Sequence, residues 1–223
     1  MEEHTLDTRT ITLIGGTGAE GKGLGLRWAV AGHRILIGSR DIERAATAVN
    51  ELRATRSGVH IEAMTNKEAA RQGDLAIVAV PYEGLTDTLT DLQSELAGKI
   101  VVSVVAPLVF GKNGVGSVQV AAGSAALECQ TLLPESIVIA AFHTISAQDL
   151  LDLERTIDCD VVVCGDNLEA KQEVMDLATK IPSVRPLDGS TLDCARYIED
   201  LTALILNLNR KYKGHAMVKF VGI

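Results

Sequence analysis

The chain reads as a Rossmann-type α/β fold: a doubly wound parallel sheet with a small C-terminal α/β extension that ends in a long apolar helix. Three observations predict it. Short runs of Val, Ile, Leu and Ala alternate with helical periodicities along nearly the whole chain, the order that gives parallel strands joined by right-handed crossovers. A glycine-rich turn, Gly15-Gly-Thr-Gly-Ala-Glu-Gly21, follows the first run and opens the first helix, as in dinucleotide-binding βαβ units. Aromatic residues make up only 3% of 223 residues that are 47% hydrophobic, so the core rests on aliphatic side chains, as in strands covered on both faces.

The elements follow in order. Thr10 to Ile14 is a β-branched strand stopped by Gly15-Gly16. Apolar positions from Leu24 to Val30, ending at Gly32, predict a helix packed on the sheet, and His33 to Ile37 the second strand. From Asp41, a natural N-cap, Ile42, Ala45, Ala46, Val49 and Leu52 fall three or four apart with Gly58 beyond, an amphipathic helix. Val59 to Ala63 is a strand, Asn66 to Gln72 a short helix, and Leu75 to Val80 a fully apolar strand closed by Pro81. Leu85, Leu89, Leu92 and Leu96 mark a helix stopped by Gly98. Ile100 to Val105 is another strand, Ser117 to Leu133 a helix rich in small residues, and Ile137 to Phe142 a further strand.

Beyond His143 a charged segment, 148–158, leads to a strand at Val161 to Cys164, a helix from Leu168 to Lys180 and an extended piece at Val184 to Leu187. The last helix is expected to begin near Ser190, with Asp193 as its capping-box partner, and to run to Lys213 before Gly214. Its centre, Leu201 to Leu208, is apolar on more than one face and calls for burial against the sheet, a cofactor or a second subunit. We divide the chain into a nucleotide-binding domain, 9–145, and a small C-terminal domain, 146–223, that completes the substrate cleft.

Composition narrows the function. A formal net charge of -8 repels nucleic acid and anionic lipid, so a bound phosphate needs a locally positive pocket. Cys129, Cys159, Cys164 and Cys194 form no CxxC pair and no metal-ligand spacing with histidine, and read as reduced thiols with no metal site. No apolar run reaches the length of a membrane span, and the N-terminus is acidic rather than signal-like. A cytoplasmic location is expected.

Gly16-Thr-Gly-Ala-Glu-Gly21 matches G-x-G-x-x-G. The pattern alone is weak, but it follows a strand and opens a helix, where glycines permit close approach of the backbone to a pyrophosphate and the helix N-terminus supplies free N–H groups. The end of the second strand selects the dinucleotide, because an acidic residue there binds the free 2'-hydroxyl of NAD. Here the residues are Gly38-Ser39-Arg40, with Arg44 one turn on. A hydroxyl and guanidinium groups suit the 2'-phosphate of NADP(H). Asp41 competes only in appearance, since an N-cap role accounts for it. Pro81 and Tyr82 fall at the carboxyl edge of the sheet, where ligands bind in open α/β folds; position alone leaves Tyr82 open between a ligand contact and the aftermath of a strand stop.

Over nearly its whole length the chain resembles the NADPH-dependent coenzyme F420 reductases, also called F420H2:NADP oxidoreductases. The resemblance is carried by Leu13 to Gly23, Ile37-Gly-Ser-Arg40, Val80-Pro-Tyr82, Phe142-His-Thr-Ile145, Val163-Cys-Gly-Asp166, Arg185-Pro-Leu-Asp188 and Leu204-Ile-Leu-Asn207. It implies hydride exchange between the deazaflavin F420 and NADP(H). By resemblance, Thr17, Gly18, Ala19 and Glu20 wrap the pyrophosphate, Ser39, Arg40 and Arg44 hold the 2'-phosphate, and Val80, Ala106 and Ala147 line the nicotinamide side. His143, Ile145 and the tail near Met217 fall to the deazaflavin, with His143 as the catalytic candidate that polarises or positions its carbonyl region, and Asn207 in the last helix is a further cofactor-binding candidate. The bland reading of His143 is a strand-end histidine bonded locally. Ser146 stands where the family pattern has proline after His-Thr-Ile.

Hydride passage between two bound rings demands proximity and orientation more than acid–base chemistry, which suits a chain without a triad or carboxylate pair. Two other readings compete. One keeps NADPH and replaces F420 by a flavin–ferric iron couple or a cyclic imine; against it, only about eighty residues follow His143, short for the helical region of imine reductases. The other is a non-catalytic NADP sensor. The apolar last helix favours a homodimer.

Overall fold

The computed structural model describes residues 8–223. Its centre is a six-stranded, wholly parallel sheet of β1 (Thr10–Ile14), β2 (Arg34–Ser39), β3 (Ile61–Thr65), β4 (Leu75–Val78), β5 (Ile100–Ser103) and a sixth strand, β8 (Ile137–Ala140). The order β3-β2-β1-β4-β5-β8 reverses direction of winding between β1 and β4, and that switch point is where open α/β sheets hold their ligands. Helices α1 (Ala19–Val30), α2 (Ile42–Thr55), α3 (Asn66–Gln72), α4 (Leu85–Thr90), α5 (Gln93–Leu96) and α6 (Ala125–Leu132) make the connections.

Successive strand residues point to opposite faces, so two cores form. Leu75 and Ile77 join Ile11, Leu13, Ile35 and Ile37 under α1 and α2, while Ala76 and Val78 join Leu85, Leu89, Leu96 and Cys129 on the other side. The central strand β4 is buried on both faces, which is why its sequence is continuously apolar, whereas edge strand β3 carries Glu62 and Thr65 and is only half-buried beyond Ile61.

The C-terminal part comprises α7 (Ala147–Leu151), β9 (Cys159–Val163), α8 (Leu168–Thr179), β10 (Val184–Asp188) and α9 (Ala195–Tyr212). It is stitched to the large sheet. β9 and β10 pair in parallel, and Cys164 exchanges backbone bonds of 2.8 and 2.9 Å with Ala140. Arg27, 5% exposed, donates to the carbonyls of Asp149, Leu150, Asp152 and Arg155. Trp28 donates to the Leu177 carbonyl at 2.9 Å and stacks edge-on against Phe142, centroids 5.5 Å apart. From α9, buried Glu199 accepts from the N–H groups of Ala125 and Ala126 at the start of α6; burial pushes its carboxyl up to about 7, opposed by those two backbone donors.

Three expectations are corrected. Residues 117–133 are not one helix: Ser117 ends β7 (Gly114–Ser117), which pairs antiparallel with β6 (Leu108–Gly111), 118–124 is turns and irregular chain, and α6 starts only after Ser124, whose side chain accepts from Leu127 N–H. The 85–96 helix breaks at Asp91-Leu92 into α4 and α5. The last helix begins at Ala195, without a Ser190–Asp193 capping box. Ser190 sits at φ +76 with its N–H on the Asp188 carboxylate, and Leu192 N–H goes to Asp166 instead. The apolar centre of α9 also divides: Ala203 and Ile205 are buried, but Leu204 is 54% and Leu208 37% exposed.

Candidate functional site

Every candidate near the sheet lies at or just beyond the carboxyl end of a parallel strand. Gly15 follows β1, Ser39 closes β2, Val80 follows β4, Ala106 follows β5 and His143 follows β8. Five strands thus bring residues up to 128 positions apart to one edge.

The glycine loop is shaped by contact. Gly15 turns at φ +68, and a Cβ there would meet Val80 Cγ1 at 2.5 Å, so the loop lies directly on Val80. A Cβ on Gly21 would fall 2.6 Å from the Cα of Gly16; α1 starts this close to the loop only because both are glycine. Gly18 is the N-cap and offers no side-chain cap. The first N–H groups of α1 therefore remain open beside Thr17, Gly18 and Ala19, a cradle for phosphate oxygens. Lys22 turns away to a 2.7 Å ion pair with Glu51.

Glu20, in the first turn of α1, is the exception in this cradle. The residue is half-buried, but its Oε1 is wholly shielded and has no hydrogen-bond partner. Burial pushes the carboxyl up to about 8, so Glu20 is neutral at pH 7 and adds no negative charge to the turn.

At the end of β2, Ser39 is buried and accepts the Asp41 N–H at 3.1 Å. Asp41 caps α2 through the N–H groups of Glu43 and Arg44, as its position predicted. Arg40 and Arg44 are exposed, with no carboxylate at ion-pair distance among the described residues. A hollow of ≈ 490 Å³ opens beside them, lined by Ser39, Arg40, Thr65, Asn66, Lys67 and Thr88 among others. Asn66 was not anticipated. Buried at 8% exposure, it accepts the Gly15 N–H at 3.1 Å and braces the glycine loop from α3. Its only sequence signal is a polar residue directly after the Thr65 cap, which any helix start provides.

At the opposite end, Phe142 takes φ +68, a costly conformation for a bulky residue, and turns the chain so that His143 enters the edge. His143 is 7% exposed. Its Nε2 lies 3.2 Å from the Val105 carbonyl, which fixes the proton on that nitrogen because a carbonyl only accepts. Nδ1 is shielded and unpartnered, and burial lowers the imidazole pKa to about 4. This histidine is neutral at working pH. Polarising a carbonyl would need a donor, and its one N–H is already engaged, while the lone pair on Nδ1 is enclosed by the chain. Thr202 of α9, also unanticipated, donates to the His143 carbonyl at 3.0 Å.

The remaining candidates divide. Ile145 is buried beside His143. Ala147 opens α7, where Ser146 in place of proline caps the helix by accepting from Asp149 N–H, and its carbonyl would lie 3.3 Å from a Cβ on Gly23. Two candidates have their polar groups engaged elsewhere. Tyr82 donates to Glu128 at 2.8 Å, and burial with that carboxylate raises its phenol to about 12. Asn207 accepts from Val115 N–H at 2.9 Å and donates to the Val115 and Ala203 carbonyls at 2.7 and 2.9 Å. That amide pins the hairpin to α9. Met217 packs half-buried against the larger core, on a tail held by the 2.8 Å bond from Asp160 N–H to Val218 O. Among the described residues no cluster of His, Cys, Asp and Glu could hold a metal ion, and no helix is long and apolar enough to cross a membrane.

Comparison with known proteins gives consistent findings. Residues 10–107 match the family model described as NADP oxidoreductase, coenzyme F420-dependent. The chain is 41% identical to the F420-dependent NADP reductase of Methanocaldococcus jannaschii, across 92% of this chain and 94% of that one. It is 37% identical to the enzyme of the same name from Methanothermobacter thermautotrophicus, across 89% and 88%. Its fold matches the crystal structure titled as a putative F420-dependent NADP reductase from Arthrobacter sp. FB24 with a TM-score of 0.83, at 23% identity over 97% of this chain and all of that one.

Proposed function

This chain belongs to the F420-dependent NADP reductase family, and from that premise we propose that it exchanges hydride between NADP(H) and coenzyme F420. One observation about the site carries the reading: a glycine loop with open N–H groups and a buried, neutral histidine stand at the same edge of one sheet, on either side of the switch point. When bound, the nicotinamide and the deazaflavin supply the hydride donor and acceptor carbons. The chain's part is to hold two rings in register and keep water out. Thr17, Gly18, Ala19 and the start of α1 hold the pyrophosphate; Ser39, Arg40 and Arg44 hold the 2'-phosphate. Val80, Ala106 and Ala147 line the nicotinamide side. His143 and Ile145 position the deazaflavin by the shape of the wall they form.

We assign nucleotide binding to residues 9–145 and completion of the cleft to 146–223. The shared core around Trp28 and Phe142 supports a fixed rather than hinged relation between them. A homodimer is supported by the exposed stripe Tyr197, Leu204, Leu208 and Tyr212 along α9 with Phe110, 73% exposed, on the hairpin; buried in a two-fold contact, such a stripe escapes water. A cytoplasmic location and small-molecule rather than nucleic-acid partners complete the reading, the latter on the charge of -8.

Purified protein mixed with NADPH and oxidised F420 should bleach both absorbances together. Loss of NADPH absorbance with FMN or a cyclic imine, and none with F420, would replace the acceptor. No turnover with any of them would leave a nucleotide sensor.

A further inference from the structure

Away from the nucleotide edge, a hollow with a volume of ≈ 790 Å³ lies between the tip of the β6–β7 hairpin and the last turn of α9. Lys112, Asn113 and Gly114 line it from the hairpin, and Asn207, Arg210 and Lys211 from the helix. No acidic side chain lines it. Lys112, Arg210 and Lys211 are exposed and make no ion pair among the described residues. In a chain with eight more acidic than basic groups, three cations facing one acid-free hollow are a local reversal of sign.

The complementarity of Arg210 and Lys211 to the carbonyl end of α9 accounts for two of these charges. It does not account for Lys112, which belongs to another element, nor for the rigid way that element is presented. Asn207 holds both backbone groups of Val115. Gly114, at φ +138, leaves room for it, since a Cβ there would stand 2.3 Å from Asn207 Oδ1. The hairpin tip is thus fixed over the helix end before any ligand arrives.

Two elements lead from the candidate cleft to the hollow. α9 passes from Thr202, bonded to the His143 carbonyl, to Arg210 eight residues later, about 12 Å at the helical rise. The hairpin departs from Ala106-Pro107, and its base is closed by Val118 N–H on the Pro107 carbonyl at 2.7 Å. Both elements that border the histidine run outward to the cationic hollow.

We propose that this hollow is an anion subsite, in which Lys112, Arg210 and Lys211 hold the phosphate- and carboxylate-bearing side chain of the deazaflavin coenzyme while its ring lies at His143. The inference rests on the function proposed above, and it makes charge on the side chain a determinant of substrate affinity.

The test compares F420 with the same deazaflavin cut back to its uncharged ribityl form. Wild type and the Lys112→Ala/Arg210→Ala double variant are titrated by deazaflavin fluorescence for Kd and assayed for KM. Both substituted side chains are exposed, so the fold is retained. The double variant, which removes two exposed charges, should weaken F420 binding about tenfold. Affinity for the truncated deazaflavin and for NADP(H), and kcat, should not change in the variant, and raising the salt concentration should weaken wild-type binding of F420 but not of the truncated deazaflavin. Equal Kd values for F420 in wild type and variant, or equal losses for F420 and the truncated compound, overturn the subsite. If wild type turns over neither deazaflavin, the proposed function fails and the subsite fails with it.

Discussion

The two ends of the candidate cleft are built on opposite plans. At the nucleotide end the groups offered to a ligand are free: the first N–H groups of α1 have no side-chain cap, and Arg40 and Arg44 stand in solvent without partners among the described residues. At the histidine end nearly every polar group is already engaged with another part of the chain. His143 holds Val105, Thr202 holds His143, Asn207 holds Val115 and Ala203, and Tyr82 holds Glu128. A free site recognises by charge and pays its ordering cost on binding, whereas a pre-bonded one recognises by shape and by the few valences left over.

The most severe way to break this contrast is to remove the free charges. Arg40→Ala with Arg44→Ala should raise the Kd for NADP(H) about 100-fold, since each charged hydrogen bond to phosphate contributes about 1.5 kcal/mol or more. The Kd for NAD(H), which lacks the 2'-phosphate, should stay where it is. Isothermal titration with both nucleotides checks this, and equal losses for the two would show that the arginines act on the fold or the pyrophosphate instead. Thermal unfolding of the nucleotide-free variant should be unchanged, because neither side chain holds another element.

The same surgery at the other end should have the opposite profile. Asn207→Ala frees both backbone groups of Val115 and releases the hairpin, so it should lower stability by about 1 kcal/mol and raise the KM for F420 about tenfold, while the NADP(H) Kd is unaltered. Chemical denaturation and steady-state kinetics read the two effects. A variant that lost NADP(H) affinity as well would show that the two ends are coupled rather than built separately.

The contrast also explains what could be read in advance. The glycine loop, Ser39, Arg40 and the Asp41 cap act within a few residues of one another, so spacing along the chain exposes them and most helices and strands of the sheet with them. The histidine end is assembled across the fold: His143 with Val105 is 38 residues apart, with Thr202 59, and Asn207 with Val115 92. No periodicity carries such pairs, and the assignment there came by resemblance to a family. The 117–133 error has a local root. Gly, Ser, Ala and Val without charges fit helix, strand and loop alike, whereas the hairpin before them turns through Gly111-Lys-Asn-Gly114, a short-range signal in the sequence itself. Asn66 was invisible for the converse reason, since a polar residue at a helix start is ordinary until a loop packs on it.

One residue at the free end breaks the pattern, and its effect is the smallest and the most diagnostic. Glu20 sits in the turn offered to phosphate, yet its Oε1 is shielded and its pKa rises to about 8 through burial. The raised value means that the folded chain holds this proton and the unfolded chain releases it from about pH 4.3. Stability from this group is therefore complete below that pH and declines as pH rises through 8. A neighbouring pyrophosphate favours the neutral form further, so NADP(H) should bind best to protonated Glu20 and lose affinity a few-fold between pH 7 and 9. Glu20→Gln keeps the shape and removes the titration. Its NADP(H) Kd should be flat over that range, equal to wild type at pH 7 and tighter at pH 9, with a correspondingly shallower fall in melting temperature. If wild-type affinity is itself flat from pH 7 to 9, the carboxyl does not face the phosphates, and the free end of the cleft then has no titrating group in its turn.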